Sequence, residues 1–174
     1  MPELQAINLR TIEPRAPGKG VNEIYLRAMH PDDLPQVAAI EAHSQLEPWP
    51  QPSFRAELEN FRVSKPLVAV REHEIVGYIV PWFIEGEAQI ATIAVKASYR
   101  RQGVGRLMLL HVLESALRHR CRLVFLEVRK SNLAARRLYE DLGFVVEGFR
   151  SRYYRRGMED AILMKKELDS KSNS

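Results

Sequence analysis

The 174-residue sequence contains one cysteine, Cys121, and no apolar run long enough to form a membrane-spanning helix. A single cysteine cannot form a disulfide within the chain, which is typical of proteins from a reducing compartment. The N terminus also lacks the apolar segment of a secretory signal peptide. We therefore expect a cytoplasmic protein stabilised by its own core, with Cys121 as a small packing residue.

Two familiar phosphate-binding motifs are absent as well. Met108 occupies the place of the third glycine that a dinucleotide-binding Gly-x-Gly-x-x-Gly motif would need after Gly103 and Gly105. A Walker A motif would need a lysine followed by serine or threonine, and this pair is missing too. No nucleic-acid motif with interleaved aromatic residues is present, so direct RNA or DNA binding is a secondary idea. We also expect no metal site.

The chain does contain an excess of positive charge. Lysine and arginine number 26 against 22 aspartate and glutamate residues, which gives a net charge of +4 and a pI of about 9.3. Such a surface favours acidic partners, including nucleotides, ribonucleoprotein and acidic peptides.

The length predicts one domain that is large enough to bury a core. Residues 1–22 contain Pro14, Pro17, Gly18 and Gly20 without sustained periodicity, so we interpret them as a flexible N-terminal arm. Residues 23–168 carry the periodic segments and form the single predicted domain. Residues 169–174 are polar and predicted to be a disordered tail.

Hydrophobic periodicity predicts an α+β protein with a mixed α/β sheet. The strands are expected at residues 24–27, 67–70, 75–84, 88–95, 123–128, 144–154 and 158–167, and the helices at 34–41, 53–61, 104–119 and 132–142. Ser53 is the predicted N-cap of the second helix, and Pro81 should mark a bulge or an edge position because it cannot donate to a ladder. The right-handed crossover rule makes strands 88–95 and 123–128 parallel.

One segment carries the clearest functional signal. A buried strand ending in Ile93-Ala94-Val95 runs into the basic loop Arg100-Arg101-Gln102-Gly103-Val104-Gly105-Arg106, which opens an amphipathic helix. Glycine has no Cβ, so the backbone there can approach a ligand closely and adopt angles closed to other residues. Consecutive N–H groups at the start of a helix bind anions. The segment therefore predicts a cradle for a pyrophosphate.

A second group of polar residues belongs to the next strand and helix. Glu127 lies near the end of an otherwise apolar strand, where desolvation would favour its use as a general base. The alternative is a salt bridge to Arg129 or to a nearby basic helix. Asn132 and Tyr139 are seven residues apart, which returns them to nearly the same helix face. Tyr139 is either a proton donor to a leaving group or a core tyrosine with a satisfied hydroxyl.

Together these segments resemble the GNAT superfamily of acetyl-CoA-dependent N-acetyltransferases, and within it the RimI-type ribosomal-protein alanine N-acetyltransferases. The loop matches the family's Arg/Gln-x-x-Gly-x-Gly/Ala motif at residues 100–105. The similarity covers roughly residues 24–168 and is densest after residue 90. Further matches are Ile93-Ala94-Val95, Leu126-Glu127-Val128-Arg129, Ser131-Asn132, Leu138-Tyr139-Glu140, Leu142-Gly143-Phe144, Tyr153-Tyr154 and residues 159–164.

The resemblance implies a GNAT-like central twisted mixed sheet, a strand–glycine loop–helix–strand crossover and acetyl-CoA as the cosubstrate. Residues 23–168 would then be a single acetyltransferase domain. In such a protein Ile93, Ala94 and Val95 hydrogen-bond the pantetheine arm, while Asn132 and Tyr139 also contact the cofactor. The pyrophosphate would be held by Arg100, Arg101, Gln102, Gly103, Val104, Gly105 and Arg106.

The resemblance also implies the chemistry and the acceptor. Glu127 would be the general base and Tyr139 the general acid when an α-amine attacks the thioester directly. Direct attack is favoured over a covalent route because Cys121 precedes its strand rather than ending it. The acceptor would be the N terminus of a ribosomal protein that begins with alanine or another small residue. The groove for this N terminus would be lined by Trp49, Tyr153 and Tyr154.

Two other functions are considered beside N-terminal acetylation. The same cofactor site serves many amines in this superfamily, so the acceptor is alternatively a lysine side chain or a small-molecule amine. A non-enzymatic alternative is an acyl-CoA-responsive module that docks on RNA or ribosomes through its arginine clusters. Monomer and dimer are both compatible with the sequence.

Overall fold

The computed structural model describes residues 23–154 and 158–169, without the side chains of Arg152 and Tyr154. The predicted N-terminal arm 1–22, the tip of the last hairpin at 155–157 and tail residues 170–174 lie outside the described residues.

The described chain contains seven strands and four α-helices in the order that periodicity predicts. The strands are β1 (Ile24–Ala28), β2 (Leu67–Arg71), β3 (Glu74–Ile84), β4 (Glu87–Val95), β5 (Leu123–Arg129), β6 (Val145–Tyr154) and β7 (Glu159–Glu167). The helices are α1 (Leu34–Ser44), α2 (Gln51–Glu59), α3 (Val104–Arg118) and α4 (Leu133–Asp141).

All seven strands form one mixed sheet in the order β1-β2-β3-β4-β5-β7-β6. The β4–β5 pair is parallel, as the crossover rule predicts, and the other neighbouring pairs are antiparallel. The placement of β7 between β5 and β6 was not predicted. In this order β6 is separated from β5 by one strand, β7.

Helices cover both faces of the sheet, and each face has its own apolar cluster. Helix α3 contributes Met108, Leu109 and Val112 to one cluster, which also contains the buried Cys121. Helices α1 and α2 contribute Val37 and Phe54 to the other. Among the described residues no helix is long and apolar enough to cross a membrane.

Prolines shape two local features, and one of them corrects the sequence prediction. Helix α2 begins at Gln51, so Ser53 lies inside the helix and is not its N-cap. Pro50 precedes the helix and Pro52 lies in its first turn, where a missing N–H leaves no hydrogen bond broken. The predicted irregularity at Pro81 is confirmed, since the β3–β4 register shifts between Val80 and Pro81.

Candidate functional site

Strands β4 and β5 pair over only part of their length and then separate. Their pairing runs from Glu87 opposite Leu123 to Ile90 opposite Leu126. The next residue of β4, Ala91, is the extra residue of the bulge opposite Pro81, and a bulge bends and twists its strand. The fork that results is the feature around which the predicted site residues are arranged.

A cleft of about 210 Å³ lies at this fork. It brings together Trp49, Ile93, Glu127, Asn132, Tyr139 and Tyr153, all named from the sequence. Its lining residues are Glu41, Gln45, Glu47, Trp49, Ile90, Ala91, Thr92, Ile93, Leu126, Glu127, Val128, Arg129, Asn132, Tyr139 and Tyr153.

The glycine loop, residues 100–106, has the backbone expected of an anion cradle. Gly103 has φ 81° and Arg101 has φ 60°, both in the left-handed region. A Cβ added to Gly103 would meet nothing within 4 Å, so space is open beside it. Leu107 donates the first backbone hydrogen bond of the helix to the Gly103 carbonyl (2.9 Å), and the N–H groups of the first turn before it have no intrahelical acceptor.

Gly105 has a different role from the one that its motif suggests. Its φ is not positive, and an added Cβ would lie 3.3 Å from Leu138 Cδ2 and 3.8 Å from Val95 Cγ2. The glycine therefore allows α3 to pack closely on α4 and β4. Of the two glycines in the loop, Gly103 alone combines a positive φ with open space.

The basic side chains of the glycine loop divide into two groups. Arg100 donates from Nε to the Val95 carbonyl (3.1 Å) and from Nη2 to Ser44 Oγ (3.2 Å), so it joins the loop to β4 and α1. Arg101 and Arg106 are exposed beside the open space at Gly103. Gln102 is exposed too and donates to the Ser98 carbonyl (3.1 Å), while the Val104 side chain is buried in the core.

The last residues of β4 form one edge of the fork. Lys96 N–H donates to Val76 on β3, so by alternation the backbone groups of Ile93 and Val95 point away from β3, towards the fork. Both carbonyls already accept side-chain hydrogen bonds, from Gln45 Nε2 at Ile93 and from Arg100 at Val95. Each carbonyl has a second lone pair that is still able to accept. Ala94, between them, is a buried core residue.

Glu127 lies at the fork but is not enclosed by apolar side chains. Its carboxylate is 18% exposed and forms an ion pair with Arg150 of β6 (3.4 Å). The side chain is partly buried, as is the face of β5 that Glu127 shares with Leu123 and Phe125. The salt-bridge partner is also neither Arg129 nor a helix residue.

Tyr153 and Trp49 both line the cleft. The negative charge of Glu127, partial burial and a hydrogen bond to the same carboxylate raise the pKa of the Tyr153 hydroxyl, so it remains a proton donor at neutral pH. The guanidinium of Arg150 lies 5.4 Å from the centre of the Tyr153 ring. The Trp49 ring packs at 5.5 Å against Phe54. The side chain of Tyr154, also predicted from the sequence, lies outside the described residues.

Asn132 and Tyr139 line the same cleft from the start and the middle of α4. Asn132 is the N-cap of α4, and its Oδ1 accepts from Ala135 N–H (3.2 Å). Tyr139 is only 5% exposed, and its ring meets Phe144 edge-on at 6.0 Å. Helix α4 ends at Asp141 with Leu142 as its C-cap, and Gly143 follows at C′ with a left-handed φ of 87°.

The cleft also contains polar residues that sequence reasoning did not identify as functional. Glu41 and Thr92 are both buried, and Glu41 lies among apolar residues of α1 at helical spacing. A charged residue at an apolar helix position was the available signal for Glu41. Nothing in the sequence indicated Arg150, because its proximity to Glu127 depends on the β5-β7-β6 order. Within 23–154 and 158–169 no group of His, Cys, Asp or Glu could hold a metal.

Comparisons with known proteins agree on one family. The sequence model of the "Acetyltransferase (GNAT) family" matches residues 32–144. A Bacillus subtilis strain 168 protein, described as a candidate [ribosomal protein bS18]-alanine N-acetyltransferase, is 35% identical over 80% of this chain and 92% of its own. The [ribosomal protein bS18]-alanine N-acetyltransferase of Escherichia coli K12 is 32% identical over 80% and 94%.

A solved structure gives the same result for the fold. The crystal structure of the ribosomal-protein-S18-alanine N-acetyltransferase from Escherichia coli superposes with a TM-score of 0.77 at 28% identity. The match covers 87% of this chain and 99% of that one.

Proposed function

The chain belongs to the GNAT family of acetyltransferases and is an acetyl-CoA-dependent N-acetyltransferase, and we propose that it acetylates the N-terminal α-amine of a ribosomal protein that begins with alanine. Residues 23–168 would form its single acetyltransferase domain. The observation that carries this proposal is the carboxylate of Glu127 at the β4–β5 fork, in a cleft that Trp49 and Tyr153 also line.

The glycine loop fits the pyrophosphate of acetyl-CoA. Gly103 leaves open space where a side chain would stand, and the first-turn N–H groups of α3 face it with the positive end of the helix dipole. Arg101 and Arg106 add positive charge to the same surface, and Ile93 and Val95 offer backbone groups to an extended ligand. Bound there, acetyl-CoA supplies the activated acetyl group and a thiol leaving group.

Glu127 is the proposed proton acceptor. An α-ammonium group has a pKa of about 7.7–8.0 and must lose a proton before the nitrogen can attack a carbonyl. Arg150 and Tyr153 hold the carboxylate in place, and its 18% exposure allows a water molecule to relay the proton. The carboxylates of Glu47 and Glu127 line the cleft and favour a cationic amine over a neutral one.

Tyr139 is the proposed proton donor. It lines the cleft from α4, and its near-complete burial keeps bulk water away from the side chain. Its Oη would hold the proton that the leaving sulfur takes up. The acceptor groove, by contrast, is open at Tyr153, which is 45% exposed, and an open groove suits the end of a polypeptide.

A peptide-acetylation assay read by mass spectrometry tests this function. Wild-type protein is incubated with acetyl-CoA and a library of peptides that differ in the first residue and contain an internal lysine. We expect acetyl groups on the α-amine, with alanine among the best first residues. Acetyl groups only on lysine, or transfer only to small amines, would replace the proposed acceptor while leaving the enzyme class intact.

A further inference from the structure

A buried carboxylate next to the cleft has no role in the chemistry proposed above. Glu41, in the third turn of α1, is 1% exposed and lines the cleft from below the Trp49 loop, residues 45–50. Among the described residues no lysine, arginine or histidine lies within 4.0 Å of its oxygens. Burial without a cationic partner raises the pKa of Glu41.

Hydrogen-bond donors from three directions surround this carboxylate. Its Oε1 accepts from the backbone N–H of Trp49 (3.0 Å). Its Oε2 accepts from the Tyr78 hydroxyl of β3 and from Thr92 Oγ1 of β4 (3.4 Å). A buried ionisable group is costly unless it is hydrogen-bonded, and these three bonds offset that cost. The bonds connect the Trp49 loop to the two central strands.

The beginning of the same loop is attached to β4 as well. Gln45 Nε2 donates to the Ile93 carbonyl (3.1 Å) and approaches Thr92 Oγ1 (3.5 Å). The Trp49 loop is thus attached to β4 directly through Gln45 and, near its other end, indirectly through Glu41. Its position relative to the fork is set by these anchors, and Glu41 provides the anchor nearest to Trp49.

We propose that Glu41 is a positioning residue for the acceptor: by binding the Trp49 backbone, it sets the place of the Trp49 side chain in the groove and so determines acceptor affinity. This inference rests on the proposed function of the cleft. Glu41 acts on the acceptor through Trp49, so its loss should affect acceptor binding much more than the transfer step.

The kinetic test is Glu41→Gln with Asp33→Asn as the matched control. Glutamine has the same shape, but its amide N–H₂ replaces one oxygen and cannot accept from the donors around it. Asp33 is also a buried carboxylate, at the opposite end of α1, and is paired with Arg27 away from the cleft. We expect the KM for an N-terminal alanine peptide to rise about tenfold in Glu41→Gln, the loss of roughly one hydrogen bond to a charged group.

The kcat and the KM for acetyl-CoA should stay near wild type in Glu41→Gln, and Asp33→Asn should change none of the three. A large fall in kcat with an unchanged peptide KM would overturn the proposal, because Glu41 would then act in the chemistry. An equal rise in peptide KM in both variants would overturn it too, since general destabilisation would explain it.

A fluorescence measurement tests the positioning of Trp49 without any acetylation. The chain has two tryptophans, so Trp82→Phe leaves Trp49 as the only one. In this background, Glu41→Gln should shift Trp49 emission to the red and increase its quenching by acrylamide, and Asp33→Asn should do neither. Unchanged fluorescence in Glu41→Gln would refute the positioning role. If wild-type protein acetylated no peptide, the proposed function would fail while this measurement still decided the place of Trp49.

Discussion

The two sides of the fork are constructed differently. On the proposed cofactor side, the glycine loop presents backbone N–H groups whose placement follows from the φ of Gly103 and the start of α3. On the acceptor side, the groove is made of side chains from α1, β5, β6 and the Trp49 loop. A backbone site is specified by adjacent residues, whereas a side-chain site depends on every element that carries a residue into it. The two sides should therefore respond to substitution in different kinetic constants.

The largest expected effect is on the acceptor side, at Glu127. Glu127→Gln should lower kcat by about 10²–10⁴-fold, the usual contribution of a general base, and leave the KM for acetyl-CoA unchanged. Steady-state kinetics with an alanine peptide measure both constants. Glu147→Gln is the control, because Glu147 also pairs with a cation on the outer strands, Lys165 at 2.8 Å, but lies outside the cleft. Normal turnover in Glu127→Gln would remove it as the base.

On the cofactor side, Gly103→Ala should weaken acetyl-CoA use, and Gly86→Ala serves as its control. The two glycines have φ of 81° and 84°, and an added Cβ meets nothing within 4 Å at either. Both variants should lose about 1–2 kcal/mol of stability through the strained backbone. Only Gly103→Ala should lower kcat/KM for acetyl-CoA, by about 10–100-fold, the value of one hydrogen bond to a charged group. Equal kinetics in both variants would contradict the cradle.

Tyr139 lines the cleft from α4, and the expected effect of removing its hydroxyl is smaller. Tyr139→Phe should reduce kcat about tenfold, because a thiol with a pKa near 8.5 leaves readily with little help from an acid. Phenylalanine keeps the ring contact with Phe144, so the thermal midpoint should change little. Tyr25→Phe on the edge strand β1 is the control for removal of a tyrosine hydroxyl. A kcat equal to that of Tyr25→Phe would show that Tyr139 is a core residue.

The smallest effects are on stability, and they separate the two buried carboxylates of α1. Burial raises the pKa of Asp33, but hydrogen bonds from Arg27 (2.6 and 2.8 Å) and His30 N–H (2.7 Å) outweigh it and lower the pKa. Asp33 thus stabilises the fold above its ordinary pKa of 3.8, and this stabilisation is lost as pH falls. Asp33→Asn should cost about 1–3 kcal/mol at neutral pH, and less in acid.

Glu41 should show the opposite slope. Burial raises its pKa, so the folded state binds a proton more tightly than the unfolded chain, and stability falls as pH rises above the ordinary value of 4.5. The stability advantage of wild type over Glu41→Gln should therefore shrink with rising pH. Urea unfolding over a pH series measures both slopes. Parallel slopes for Asp33→Asn and Glu41→Gln would contradict the assignment of opposite shifts.

Much of the fold could be predicted because its elements are local. The start of α3 at Gly103, the end of α4 at Gly143 and the bulge at Pro81 each follow from one residue's backbone chemistry. The start of α2 was misplaced because two prolines can open a helix as well as a serine cap can. The insertion of β7 between β5 and β6 was missed because hairpin strands have no preferred neighbour in their own sequence.

The candidate site likewise has a part that was predictable from local sequence and a part that was not. The sequence motifs identified the glycine loop and three further residues, Glu127, Asn132 and Tyr139. The side chains of these three residues line one cleft. Two contacts were not identified from the sequence. Arg150 and Glu127 are far apart in the chain, and no sequence pattern links Glu41 to the backbone of Trp49.

The sequence by itself determined the glycine loop at the start of α3 and the order of the elements, because a positive φ, a helix start and an apolar period are properties of neighbouring residues. The tertiary structure alone decided the surroundings of Glu127, the separate roles of Gly103 and Gly105, and the anchoring of Trp49 by Glu41. Electrostatic and packing energies depend on distances across the sheet and between its layers, and those distances exist only once strands and helices have assembled.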